Sequence, residues 1–91
     1  MTDYQKEFKT SLISKPNCIL GKKGITKDFV EHLNKLLKKY KIIKIKALRS
    51  VANKSTIKEL ANSITNLTNS YLLDLRGRMM IISLLDINKI N

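Results

Sequence analysis

The spacing of apolar residues changes period several times along the chain, and each change marks an element. Tyr4, Phe8 and Leu12 stand four apart, with Ile13 beside them, which predicts one face of a short N-terminal helix. Lys15-Pro16 ends it, because the residue before a proline avoids the helical region. Asn17-Cys18-Ile19-Leu20 is a short apolar run and reads as a strand. After Gly21-Lys22-Lys23-Gly24, the positions Phe29, Val30, Leu33, Leu36, Leu37 and Tyr40 recur at helical spacing. Thr26 is the candidate N-cap of that helix, and Asp28 sits in its first turn, where the helix dipole favours a carboxylate. Lys27, Glu31, Lys35, Lys38 and Lys39 form its outward face. From Ile42 the period falls to two: Ile43, Ile45 and Ala47 point one way and Lys44 and Lys46 the other, the pattern of a strand with one buried face. Helical period returns between Asn53 and Thr68 through Ile57, Leu60, Ala61, Ile64 and Leu67, with Asn53 or Ser55 as cap. Two last runs, Tyr71 to Leu75 and Met79 to Leu85, flank Arg76-Gly77-Arg78 and predict a hairpin in which Gly77 takes a positive φ.

The resulting order is α-β-α-β-α-β-β. Strands alternating with helices imply parallel pairing, and the closing hairpin adds an antiparallel pair. The expected fold is therefore α/β and two-layered, a four-stranded mixed sheet with an N-terminal helix. The 91 residues suit one domain, with a core over about 5–85 and a loosely held polar tail at 86–91. No repeat, linker or low-complexity tract interrupts it.

Charge changes the picture most. Eighteen Lys and Arg stand against seven Asp and Glu, a formal net charge of +11. A lysine-rich composition explains abundant lysine but not the failure of acidic residues to keep pace. So large an excess repels itself unless a polyanion is near, and for a small basic domain the usual polyanion is nucleic acid. No apolar stretch is long enough to span a membrane, and Met1 to Glu7 lacks the apolar core of a signal peptide, so no membrane partner and a cytoplasmic location are expected. Cys18 is the single cysteine and His32 the single histidine, so neither a disulfide nor a Cys/His metal site is expected.

The candidate binding motif is the loop Gly21-Lys22-Lys23-Gly24. Its glycines let the backbone bend and approach a ligand, the following helix presents N–H groups, and two ammonium groups stand at its tip. A two-glycine loop alone is usually a turn; the charge excess favours a phosphate site. Lys15, Lys27, Lys44 and Lys46 are expected to extend the basic surface, and Arg76 and Arg78 form a second candidate contact whose ordinary reading is a solvated turn. The loop is neither a P-loop nor a dinucleotide fingerprint, since the Lys-Ser/Thr pair of one and the third glycine of the other are missing.

The run Lys15-Pro16-Asn17-Cys18-Ile19-Leu20-Gly21-Lys22-Lys23-Gly24-Ile25-Thr26 resembles the opening signature of the CRM domain (chloroplast RNA splicing and ribosome maturation) in its single-domain, YhbY-like form. Ile42-Ile43-Lys44-Ile45-Lys46 resembles the family's Leu-Ile-Lys-Val-Lys strand, and Leu75-Arg76-Gly77-Arg78 its last turn. The resemblance covers roughly Phe8 to Leu84. It implies a fold similar to the C-terminal domain of translation initiation factor three. It also implies binding of structured RNA through the Gly-x-x-Gly loop and, for single-domain members, association with rRNA of large ribosomal subunit precursors. The family's Tyr-Arg at the end of the last strand is replaced by Ser83-Leu84. Tyr4, Phe8, Phe29 and Tyr40 all have core spacing, which favours recognition of backbone and shape over base stacking.

Other classes compete with RNA binding, the weakest being an interaction module that uses the solvent face of the sheet, where Lys44 and Lys46 again point to an anionic partner. A nucleic-acid-coating chromatin protein of the Alba type shares a similar topology and a Gly-Lys-Lys stretch, but carries a long basic arm at its last hairpin. An enzyme needs a poised acid, base or nucleophile. His32 falls on a polar helix face, Asp28 and Glu31 have lysine neighbours, and Asp74 lacks an obvious partner, so no catalysis, cofactor or small-molecule substrate is expected.

Overall fold

A computed structural model describes residues 3–51, 53 and 55–84. Its elements are α1 (Asp3–Ile13), β1 (Cys18–Leu20), α2 (Lys27–Tyr40), β2 (Ile42–Ala47), α3 (Ile57–Thr68), β3 (Tyr71–Arg76) and β4 (Met79–Ser83). The order is the expected one, and each boundary has a local cause. Thr26 caps α2, its Oγ1 accepting the Phe29 N–H at 3.1 Å. One residue, Lys41, joins α2 to β2; it holds φ at 66° while its N–H donates to the Leu37 carbonyl. An Asx turn leads into α3, with the Asn53 Oδ1 accepting from the N–H groups of Ser55 and Thr56 at 2.9 and 3.0 Å. Asn69 closes α3 in the left-handed conformation, which asparagine tolerates well. Ser83 ends β4 as described, and Leu85 and the tail 86–91 lie outside the described residues.

The four strands form one mixed sheet in the order β1-β2-β4-β3. β1 pairs parallel to β2, and β4 pairs antiparallel to both β2 and β3, with a bulge between Leu72 and Asp74. One face carries the main core: Leu20, Ile43, Ile45, Met80 and Ile82 pack with Leu33 and Leu37 of α2 and Ile57, Ala61 and Ile64 of α3. The α3 stripe runs through Ile57, Ala61, Ile64 and Thr68 rather than Leu67, which is exposed. Thr68 is tolerated inside because its hydroxyl donates to the Ile64 carbonyl at 2.8 Å.

The two-layer description holds for the sheet with α2 and α3, but α1 covers part of the opposite face. Lys44 points away from Ile43 and Ile45, is only 8% exposed, and donates from Nζ to the carbonyls of Leu12 and Ser14 at 3.3 and 3.0 Å. Ile81, its register partner in β4, is buried beside it. The expectation that Lys44 projects into solvent is thus corrected. Its stem lies under α1, and its ammonium satisfies carbonyls that a helix C-terminus leaves unpaired, where the dipole also favours a cation. Asn17 completes the joint: its N–H donates to the Lys44 carbonyl at 2.8 Å, and its Oδ1 accepts the Lys44 N–H at 2.9 Å.

Lys44→Met keeps the stem and removes the charge-assisted hydrogen bonds. It is expected to cost about 2 kcal/mol and to raise amide exchange in the last turn of α1 well beyond that of α2. Exchange at Thr10 to Ser14 that matched the wild type would show that Lys44 does not hold the helix.

Candidate nucleic-acid interface

Strand direction decides which basic residues meet. Because β1 and β2 are parallel, they finish at the same end of the sheet, and β4, antiparallel to β2, begins there. Three connections therefore emerge together: Gly21 to Thr26, Leu48 to Thr56, and the Gly77-Arg78 turn. They are laced to one another, since the Leu48 N–H donates to the Leu20 carbonyl at 3.2 Å and the Ala47 N–H donates to the Arg78 carbonyl at 2.8 Å. Both long helices also start at this end, so their N–H-rich termini add partial positive charge to it. Ligands of open sheets with parallel strands gather outside such strand ends for the same reason.

The first connection is a tight turn. The Gly24 N–H donates to the Gly21 carbonyl at 3.0 Å, and Lys22 and Lys23 stand exposed at the tip. Gly24 takes φ +71°, where an L side chain is strained. Gly21 has ordinary φ, and a Cβ there would meet nothing within 4 Å, so the fold itself has no use for its missing side chain. A backbone this bare is one that a ligand can approach closely. The helix terminus behind it is partly occupied: Thr26 takes the Phe29 N–H and Asp28 sits in the first turn. The N–H groups of Lys27 and Asp28 lack intrahelical acceptors by position. The two lysines and the turn backbone are therefore the stronger elements of the site.

Gly24→Ala places a side chain in the left-handed region and is expected to cost about 1 kcal/mol. It should weaken anion binding at the turn without changing the helix content seen by circular dichroism. Stability equal to the wild type's in urea would mean that the turn relaxes out of its positive φ.

The sequence-predicted residues divide into three groups. Gly21, Lys22, Lys23, Gly24, Lys27, Lys46, Arg76 and Arg78 lie at or next to the shared strand end, and among them Lys22, Lys23, Lys27, Lys46 and Arg76 are exposed. Lys44 is withdrawn under α1. Lys15 precedes β1 and so belongs to the other end of the sheet, with Asn17 and Lys41. Arg76 is shared: its Nε lies 3.0 Å from Asp74 Oδ2, so Asp74 does have a partner, and the pair is a half-exposed ion pair of small energetic weight. Arg49, exposed in the second connection, was missed; its only sequence signal is that it follows the Lys-alternating strand directly.

A two-residue turn joins β3 and β4, with Gly77 at φ +58° in the first central position, where a tight hairpin turn requires glycine. The long basic arm that an Alba-type protein needs is not built there. Cys18 packs against the core, and burial pushes its thiol pKa up, partly offset by a backbone hydrogen bond at Ile19, which leaves it a poor nucleophile. Among the described residues no three His, Cys, Asp or Glu side chains cluster as a metal would need.

Comparison with known proteins bears on the family and the fold. The family model of the CRS1/YhbY (CRM) domain matches residues 2–82. The solution structure of the hypothetical protein SAV1595 from Staphylococcus aureus, for which RNA binding has been suggested, superposes with a TM-score of 0.73 at 26% sequence identity. The match covers 94% of this chain and 90% of that one. No curated protein sequence matches significantly.

Proposed function

The chain belongs to the CRS1/YhbY (CRM) domain family, and from that premise we propose that it binds structured RNA through the shared end of β1 and β2. The carrying observation is the convergence there of the Gly21–Gly24 turn, the Arg76-Gly77-Arg78 hairpin and two helix N-termini on a chain of formal net charge +11. Lys22 and Lys23 hold phosphates, and the bare Gly21 backbone permits close approach of the strand. Lys27, Lys46, Arg49 and Arg78 extend the contact on either side. Recognition rests on backbone and shape, because the exposed groups at this end are cations rather than rings. Among the described residues no constellation for acid–base or nucleophilic chemistry accompanies them, and the proposed role is binding.

The finer reading is a cytoplasmic factor that associates with rRNA of the large ribosomal subunit precursor. It is supported by the likeness of this chain to single-domain members of the family. Crosslinking in cells followed by sequencing of the attached RNA tests it. Large-subunit rRNA should dominate the reads. Reads dominated by tRNA or messenger RNA would remove the ribosomal role and leave RNA binding standing.

A further inference from the structure

The opposite end of the sheet carries a second basic feature that the binding surface above does not use. An open cleft lies between α1 and the α2–β2 junction, lined by Lys6, Lys15, Lys39, Lys41 and Tyr40 together with small polar side chains of α1. Among the described residues no carboxylate lines it. Tyr40 is 44% exposed, contrary to its core spacing in the sequence, and the Lys39 ammonium lies over one face of its ring, 5.2 Å from the centroid.

The ordinary explanation of lysines here is that they answer helix C-termini. It accounts for Lys38 and Lys39 in the last turn of α2. It does not account for Lys15, since the last carbonyls of α1 are already served by Lys44. It does not account for Lys6 in the body of α1, nor for an exposed tyrosine among them. An exposed ring among ammonium groups, on a polar floor with no carboxylate among the described residues, matches a nucleotide: a ring to stack against the base and cations for its phosphates. The single residue linking α2 to β2 keeps a lysine at φ 66°, where glycine is favoured, so a side chain is retained at this rim against the backbone preference.

We propose that this cleft is a second RNA subsite, which takes a nucleotide of a single-stranded segment with its base on Tyr40 and its phosphates on Lys6, Lys15 and Lys39. The proposal rests on the RNA-binding reading above and extends it. Six residues of β2 separate the two ends of the sheet, about 17 Å at the rise of a strand. A base can stack on Tyr40 only if it is unpaired, so a structured RNA seated on the Gly21–Gly24 turn would fill the cleft through a single-stranded extension.

The test compares a blunt RNA hairpin with the same hairpin carrying a single-stranded extension of about six nucleotides at either end, within the usual site size of such surfaces. The wild-type protein should bind one of the extended forms about tenfold more tightly, and 2-aminopurine in the extension should be quenched on binding. Tyr40→Ala should erase that gain and leave the blunt hairpin's affinity unchanged, and Tyr40→Phe should retain it. A Lys6→Ala/Lys15→Ala variant should lower the salt slope for the extended RNA only. If the hairpin binds but neither extension adds affinity or quenching, the cleft is no subsite, while the main reading survives. The same conclusion follows if Tyr40→Ala leaves the gain intact. If the wild type binds neither RNA, both readings fall.

Discussion

The Lys22→Ala/Lys23→Ala double variant is expected to bind every RNA on the order of tenfold more weakly, with its fold unchanged. Both side chains are exposed and neither has a hydrogen-bond or ion-pair partner among the described residues, so their removal should disturb little packing. Each ammonium at an exposed site is worth up to about 1 kcal/mol, and two together give a loss of roughly one order of magnitude. The sharper readout is salt. If about five phosphates are neutralised, log Kd against log salt has a slope near 3.5 in magnitude on single strands. Losing two contacts should shrink it by about 1.4. The loss should be uniform across RNA sequences, because phosphate contacts carry no base information. Filter binding that shows unchanged affinity and slope would remove the Gly21–Gly24 turn from the interface. Chemical-shift mapping with bound RNA offers an independent check: the turn and the Arg78 hairpin should respond together.

The largest stability effect is expected at the centre of the sheet. Ile45 is fully buried in β2, between Cys18 of β1 and Met80 of β4 in register. Ile45→Ala removes buried apolar volume from a strand with neighbours on both edges and leaves a cavity that α2 and α3 cannot fill without moving. The cost should be about 3 kcal/mol. For a domain of this length that corresponds to a fall in Tm of roughly 12–24 °C. Ile19→Ala serves as control, because Ile19 is 57% exposed on edge strand β1 and should change stability by less than about 0.5 kcal/mol. Equal melting temperatures for the two variants would contradict the burial assigned to β2. Below its own melting point Ile45→Ala should still bind RNA, since the basic turn lies beyond the strand ends.

Several features could be foreseen because they are local. Helical and strand periods depend on residues within one or two turns of each other, so all seven elements and their order follow from apolar spacing. Gly24 and Gly77 both adopt the positive φ that turns at their positions demand. One sign of the third layer was also present. Met79 to Ile82 is apolar without alternation, as in a strand covered on both faces, whereas the alternation in β2 suggested a face open to water. Lys44 misled because a lysine at an outward position is normally solvated, and only the placement of α1 turns it into a buried tie.

The sequence by itself determined the elements, the glycine-bounded basic turn and the excess of positive charge, since these depend on neighbours in the chain or on simple counting. Tertiary structure decided how that charge is distributed. Parallel pairing of β1 with β2 and antiparallel pairing of β4 with β2 bring Lys22, Lys23 and Arg78 to one end and leave Lys15 at the other, where Tyr40 lies open. Sites far apart in sequence become neighbours only through strand direction and helix packing, and no local period encodes either.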